Sequence, residues 1–380
     1  DIGILQIGAQ NIPLYPTLSS KDYGYILNHS DAVYCFVSDT ALLQKVQSVK
    51  ENTQLKGIFT FDEIDKETSW NSFLDYGKSF DFQAQVDALK NTVSENDLAT
   101  IIYTSGTTGT PKGVMLSHKN IVQNTLVSAA ALDLETANCR AVSYLPISHI
   151  FERFASYYYQ YRGIEVYFAE SIDQLGDNLK EIQPHFIPVV PRLLEKIYDK
   201  IVAKGSALSG FKKGLFFWAL RLAEHYKPYG KNTAWYAFKL GIARRLIFTK
   251  WKAAFGGNVR LMVSGSAPLQ ERLITIFTAA GLPICEGYGM TETSPGVTIN
   301  DLRNGGLKVG TVGKALKDVE VKIANDGEIL VKGSNVMMGY YKNEALTKET
   351  IIDGYLHTGD IGTLDAEGFL KITDRKKEMF

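Results

Sequence analysis

Cysteine is scarce in this chain of 380 residues: Cys35, Cys139 and Cys285 stand far apart, and no two share a CxxC spacing. That excludes a disulfide framework and a cysteine zinc site, and it fits structural thiols in a reducing cytoplasm. Charge of one sign is not in excess either. Lys and Arg number 41 and Asp and Glu number 41, so no electrostatic footprint calls for nucleic acid as a partner. No apolar run reaches the ~18–20 residues of a membrane span. No secretory leader is expected, and internal repeats and low-complexity tracts are lacking in these residues.

What is present is ordinary globular composition, 45% hydrophobic and 22% charged, enough for a sizeable core. Single cores stop growing near ~250–300 residues, so more than one structural unit is expected. The chain opens at Asp1 without a methionine and stops inside the charged stretch "DRKKEMF". Both ends read as cuts, and a fragment of a longer protein is expected.

Short β-branched runs alternate with helical stretches in the first half. "AVYCFVS" (Ala32 to Ser38) and "LATIIYT" (Leu98 to Thr104) read as buried strands, and "KNIVQNTLVSAAAL" reads as a helix capped by Ser117. Such alternation predicts α/β layers on a largely parallel sheet. "RLMVSGSAPL" and "GLPICEGYGMTET" repeat the strand–turn–helix theme between Arg260 and Thr293. Beyond about Asn300 the period changes to two. "VEVKIANDGEILVKG" predicts a hairpin turning at Asn325-Asp326-Gly327, and "GTLDAEGFLKI" a second turning at Ala366 to Gly368.

"YTSGTTGTPKGV" (Tyr103 to Val114) gathers hydroxyls, glycines and one lysine in a turn-prone stretch. It is not the Walker loop, because Gly106 and Gly109 are too close, Lys112 follows Pro111, and Gly113 stands where Ser or Thr belongs. "VMLS" after it reads as a strand, so the loop joins two strands. Phosphates would meet backbone N–H groups and the hydroxyls of Thr104, Ser105, Thr107 and Thr108, with Lys112 as a mobile point charge. "GYGMTE" is not the dinucleotide pattern, since Glu292 takes the place of its last glycine.

The loop resembles the phosphate loop of the adenylate-forming (AMP-binding) acyl-CoA synthetases. The resemblance extends along the chain through "GAQNIPLYPT" (Gly8 to Thr17), "LPISHIFERF" (Leu145 to Phe154), "SGSAPL" (Ser264 to Leu269), "GYGMTET" (Gly287 to Thr293) and "DGYLHTGDIGTLDAEGFLKITDRKK" (Asp353 to Lys377). "VVPRLLEKIY" (Val189 to Tyr198) and the last motif look most like the long-chain fatty acid–CoA ligase branch, although Tyr355 stands where many relatives have Trp. The implied fold is the large N-terminal domain of this α/β class: two layered α/β subdomains (1–175 and 176–300), a small antiparallel β-barrel-like subdomain (301–373), and the start of a hinge (374–380). The C-terminal domain is expected to be absent.

The resemblance implies ATP-dependent activation of a long-chain fatty acid to acyl-adenylate, pyrophosphate leaving, and transfer of the acyl group to CoA. ATP and Mg2+ are the implied cofactors, with CoA as co-substrate. The implied catalytic residues are Lys112, His149, Thr291 and Glu292. Glu292 matches the magnesium carboxylate, Thr104 a second metal oxygen, and Thr291 faces the α-phosphate. His149 sits between acyl and phosphate sites. Nucleotide contacts fall to Thr104, Ser105, Gly106, Thr107, Thr108 and Gly109. Tyr288 stacks on adenine, with Gly265, Ser266 and Ala267 as the other wall. Glu286, Gly287, Gly289 and Met290 complete that part. Asp360 and Arg375 reach the ribose and Lys377 approaches the nucleotide; Asp374 marks the hinge. A fragment without the C-terminal lysine that bridges carboxylate and phosphate is expected to bind nucleotide yet be largely inactive. Two alternatives stay open: an enzyme loading fatty acids onto a carrier protein, and a non-catalytic lipid-binding module.

From Phe211 to Gly256 ten Lys and Arg face one acid, Glu224, and three of the four tryptophans lie there. Phe211, Leu215, Trp218, Leu222 and Tyr226 fall at helical spacing. Two readings fit: core-facing helices with a solvated basic face, or a peripheral membrane or acyl-docking face. A cytoplasmic location with membrane association through this segment, and a homodimer, complete the expectations.

Overall fold

The computed structural model describes residues 1–65, 68–104, 109–132, 137–303 and 305–376. Its residues divide into two compact units, 1–121 with 337–349 and 122–336 with 350–380. Among the described residues no helix is long and apolar enough to cross a membrane.

In the first unit, Leu98–Thr104 is apolar on both faces, and Ala99, Ile101 and Ile102 are buried. Lys112–Ser117 pairs with it antiparallel, and Gly339–Tyr340 adds to the other edge of Lys112–Ser117. Asn11 of the "GAQNIPLYPT" motif bridges to this sheet: its N–H donates to Ala99 O and its carbonyl accepts from Ile101 N, both at 3.1 Å. Tyr34–Val37 and Gly57–Thr60 form a separate parallel pair. The parallel sheet expected across the first half therefore does not include these central strands. A connection as short as 105–111 can join antiparallel neighbours but cannot make a parallel crossover, which takes a dozen residues or more. Ser117 caps the helix His118–Ala131 as expected. Its Oγ accepts from Asn120 N (3.1 Å), and Asn120 Oδ1 accepts from Ser117 N (2.8 Å).

In the second unit seven strands lie in the order Lys314–Ala315, Gly296–Ile299, Ile284–Gly289, Leu261–Ser264, Phe186–Val189, Arg140–Ser143, Glu165–Phe168. The last five are mutually parallel; the first two are antiparallel additions. The expected boundary at residue 175 falls inside this sheet, because parallel strands on either side of it are joined through the helix Leu175–Ile182. One face buries Leu194, Phe216, Phe248, Trp251 and Phe277, the other Tyr158, Tyr159 and Phe186.

Both predicted hairpins form. Val319–Ile323 pairs with Glu328–Gly333 around Gly327 (φ 86°), and Tyr355–Leu364 pairs with Leu370–Arg375. Tyr355–Leu364 is central, bonded also to Glu328–Gly333 and Ile351–Ile352. No pairing among the described residues joins Val319–Ile323 to the far edge, so the expected barrel is an open sheet.

In the helix Gly210–Ala223 the spaced stripe meets the core only in part: Trp218 and Leu222, with Tyr226 beyond the helix, pack against it at the margin. Phe216, Ala219, Leu220 and Ala223 are buried, while Phe211 is 84% exposed. The small alanines allow close helix packing, so the inward face is shifted by about one residue from the bulky stripe.

Candidate functional site

In the second unit the site residues cluster where the parallel strands end. Ser264, the last residue of its strand, pairs with Glu286 on the next. Gly265, Ser266 and Ala267 therefore leave the sheet beside Glu286, at the carboxyl edge where open α/β sheets take ligands. Ser266 holds a left-handed backbone (φ 70°). Glu286 is buried, and its carboxylate accepts weakly from Leu269 N at 3.4 Å. Burial pushes that carboxyl up to about 7, and the Glu271 charge adds to the effect.

Gly287, Tyr288 and Gly289 complete the strand, and Met290 leads into a tight turn, Thr291–Thr293. A side chain at Gly289 would place its Cβ 1.7 Å from Pro295 O, so only glycine fits. Thr293 Oγ1 accepts from Met290 N (3.0 Å) and donates to Pro295 O (2.6 Å). This fixes the turn that presents Thr291 and Glu292, both partly exposed.

Asp360 lies opposite Arg375 on paired strands. Its Oδ2 accepts from the Tyr288 hydroxyl at 2.7 Å, and its Oδ1 from Arg375 Nε at 3.3 Å. Asp360 N–H donates to Thr358 Oγ1 at 3.1 Å. Tyr288 and Asp360 are both buried. Burial first, then the Asp360 charge, holds the Tyr288 phenol well above its usual range. Tyr288, Asp360 and Arg375, distant in sequence, thus form one hydrogen-bonded group. Asp374 is exposed, and its Oδ1 accepts from Arg375 N.

His149 caps the helix Ile150–Arg162: its Nδ1 accepts from Phe151 N at 3.2 Å. Burial lowers its pKa, so the neutral ring carries its proton on Nε2. One turn on, Glu152 is fully buried; Ser143 Oγ donates to its Oε1 at 2.5 Å, and its Oε2 has no hydrogen-bond partner among the described residues.

In the first unit Thr104 ends its strand directly opposite Lys112, and Gly109 is left-handed (φ 81°). Lys112 Nζ stands 5.5 Å from the centroid of the Tyr340 ring. Ser105, Gly106, Thr107, Thr108 and Lys377 lie outside the described residues. Among the described residues no three His, Cys, Asp or Glu side chains gather as a metal cluster.

Sequence reasoning passed over Glu328. Its carboxylate accepts from Lys376 Nζ (2.9 Å) and Gly359 N (2.9 Å) and meets His357 Nδ1 at 3.1 Å, beside Asp360. Burial alone would raise this carboxyl, but Lys376 and His357 together bring it below its usual range. The only sequence signal was an acid directly after the Asp-Gly turn. Tyr340 was missed as well, because only a strand distant in sequence brings it under Lys112.

A family model described as AMP-binding enzyme matches residues 1–341. The long-chain-fatty-acid–CoA ligase FadD15 of Mycobacterium bovis is 36% identical over all of this chain and 63% of its own length. Human long-chain-fatty-acid–CoA ligase 1 is 35% identical over 97% of the chain and 55% of its own length. The chain thus spans less than two thirds of these relatives. Among solved structures, the fold matches a long-chain-fatty-acid-CoA ligase (FadD1) from Archaeoglobus fulgidus, with TM-score 0.70, 24% identity, and coverage of 98% of this chain and 68% of that one. It also matches an o-succinylbenzoate coenzyme A synthetase from Bacillus subtilis in complex with ATP and magnesium, with TM-score 0.67, 22% identity, and coverage of 98% and 66%.

Proposed function

Because this chain belongs to the AMP-binding enzyme family, we propose that the protein it represents is a long-chain fatty acid–CoA ligase. The observation that carries the reading is 35–36% identity with long-chain ligases along essentially the whole chain. The fatty acid carboxylate attacks the α-phosphorus of ATP; an acyl-adenylate forms and pyrophosphate leaves. The CoA thiolate then attacks the acyl carbonyl, and AMP leaves.

The first step brings an anion to a polyanion, so positioning and charge neutralisation supply most of the catalysis. Asp360 accepts the ribose hydroxyls, and Arg375 steadies its carboxylate. Tyr288 offers its ring to adenine while its hydroxyl stays on Asp360. Gly265, Ser266 and Ala267 form the facing wall. Lys112 and the loop that ends at Gly109 meet the phosphates, and Thr291 faces the α-phosphate. Glu292 and Thr104 supply one carboxylate and one hydroxyl. Such hard oxygen donors would suit magnesium, which would offset the phosphate charge. His149, neutral and fixed by its capping bond, stands between the acyl and phosphate sites. The 380 residues bind the adenylate, and turnover belongs to the whole protein.

A long tail gains roughly 0.8 kcal/mol per buried methylene. Acyl-adenylate analogues carrying acetyl, benzoyl and palmitoyl groups are therefore titrated calorimetrically into the chain, with free palmitate as the adsorption control. Tightest binding of the palmitoyl analogue is expected. Equal affinity for all three would end the long-chain assignment, and no binding would end the nucleotide assignment. CoA-dependent thioester formation by the whole protein separates a CoA ligase from a carrier-protein loading enzyme.

A further inference from the structure

Lys112 opens its strand directly opposite Thr104, where the connection 105–111 returns to the sheet. It is the only cation on the paired strands Leu98–Thr104 and Lys112–Ser117. Among the described residues no carboxylate pairs with it. What faces it is an aromatic ring, since Lys112 Nζ lies 5.5 Å from the Tyr340 ring centre.

That ring is itself held on several sides. Tyr340 is buried and lies across from Val114; Tyr341 N donates to Gly113 O at 2.8 Å and Met338 N to Met115 O at 3.0 Å. Tyr340 N donates to Thr347 Oγ1 at 2.9 Å, and Thr347 Oγ1 donates on to Asn343 O at 2.9 Å. The next residues anchor the same segment to Asp31, whose Oδ2 accepts from the Tyr341 hydroxyl at 3.1 Å and from Lys342 Nζ at 2.6 Å. Gly113, beside Lys112, has no room for a side chain. Its Cβ would stand 2.8 Å from Ile101 Cγ2, 3.2 Å from Tyr103 Cζ and 3.3 Å from Tyr341 Cβ. Both stems of the loop are thus packed against the segment that carries the ring.

A lysine must fix several rotatable bonds before its ammonium can hold a phosphate, and the entropy lost opposes binding. A carboxylate partner would order the side chain but cancel its charge. An aromatic face attracts the ammonium from one side and cancels none of it, leaving N–H donors free on the other. We propose that Tyr340 is a positioning residue for the phosphate chemistry. Its ring holds Lys112 in place before nucleotide arrives and keeps it there afterwards, so the ammonium meets the phosphates with its side chain already ordered. The inference rests on the reading that Lys112 meets the phosphates of ATP.

The test has two arms. In the first, lysines of the chain are isotopically labelled at Cε, and the Lys112 magnetic resonance signal is identified by its loss in Lys112→Arg. The ring current of Tyr340 should place that signal upfield of lysines that face no ring, and it should stay there when magnesium ATP is added. In the second arm, magnesium ATP is titrated calorimetrically into the parent, Tyr340→Phe, Tyr340→Leu, Lys112→Ala and the Lys112→Ala/Tyr340→Leu pair, each checked for folding by its melting curve. Tyr340→Leu should bind roughly three- to tenfold more weakly, while Tyr340→Phe, which keeps the ring, stays near the parent. In the Lys112→Ala background Tyr340→Leu should cost nothing further. An unshifted Lys112 signal overturns the proposal, as does one that leaves its upfield position when ATP binds; both are read on the parent even if Tyr340→Leu does not fold. An equal loss from Tyr340→Leu with and without Lys112 would make Tyr340 merely structural and also overturns it. A parent that binds no ATP ends the nucleotide assignment itself, and the role of Tyr340 with it.

Discussion

The Tyr288 hydroxyl donates to Asp360 Oδ2 at 2.7 Å, and the two residues are 72 positions apart in a buried setting. This bond ties the end of a parallel strand to the antiparallel sheet that carries Asp360. Two changes separate its structural and binding roles. Tyr288→Phe keeps the ring but leaves a buried carboxylate short of one donor, which costs about 1.5–3 kcal/mol of stability. Adenylate-analogue affinity should fall only a few-fold. Asp360→Asn keeps the size and loses the charge that Arg375 and the ribose hydroxyls use, so affinity should fall about tenfold or more. Thermal denaturation beside calorimetric titration checks both. Equal affinity loss in the two variants would contradict the division of roles.

How much of this was legible follows the range of each signal. The Asn-Asp-Gly turn, the Ser117 cap and the strand Leu98–Thr104 rest on residues within a few positions of one another, and they form as read. Asp360 and Tyr288 were legible as motif members, but their bond was not, since it depends on how two sheets pack. The convergence of Lys376, His357 and Gly359 on Glu328 depends on strand register, which no single segment encodes. The spacing of Phe211, Leu215, Trp218, Leu222 and Tyr226 left the orientation of Gly210–Ala223 open, and close packing through its alanines puts Phe216 and Leu220 at the centre of the buried face while Phe211 stays exposed.

Glu152 predicts a pH dependence on the neutral side. Burial raises its carboxyl from 4.5 to about 7. Between those values the folded chain keeps a proton that the unfolded chain has released, so stability falls as pH rises through that window. Glu152→Gln removes the titration and should flatten this decline, gaining on the order of 1–3 kcal/mol over the parent above pH 7. Melting temperatures of both proteins measured from pH 5 to 8 decide it. Parallel curves would mean that Glu152 is already ionised in the fold.

Glu328 acts in the opposite sense. Its folded pKa lies below the ordinary value of 4.5, so its contribution is present above that value and is lost as pH falls through the lowered one. Its side chain is only 6% exposed, whereas that of Lys376 is 44% exposed. Glu328→Gln should therefore cost roughly 1–3 kcal/mol, since it strips Lys376 and His357 of a charged acceptor. Lys376→Gln should cost less than about 1 kcal/mol, as for other exposed partners. Chemical denaturation at pH 7 measures both, and a larger loss for Lys376→Gln would contradict the assignment of Glu328 as the centre of the group.

Two glycines near the site should respond in opposite ways to the same substitution. At Gly289 an added Cβ would lie 1.7 Å from Pro295 O, a backbone atom that cannot turn aside. Gly289→Ala must therefore displace the turn that presents Thr291 and Glu292, and a loss above about 4 kcal/mol is expected. At Gly265 the added Cβ meets only the Phe151 ring, at 3.6 Å, an ordinary contact. Gly265→Ala should thus fold with stability within about 1 kcal/mol of the parent. If the Gly265, Ser266 and Ala267 segment is the wall facing adenine, the extra methyl occupies space that the base needs. Analogue binding should then weaken about tenfold in a protein that melts normally. Unchanged affinity in a folded Gly265→Ala chain would move the adenine pocket away from this segment and leave Tyr288 without its facing wall.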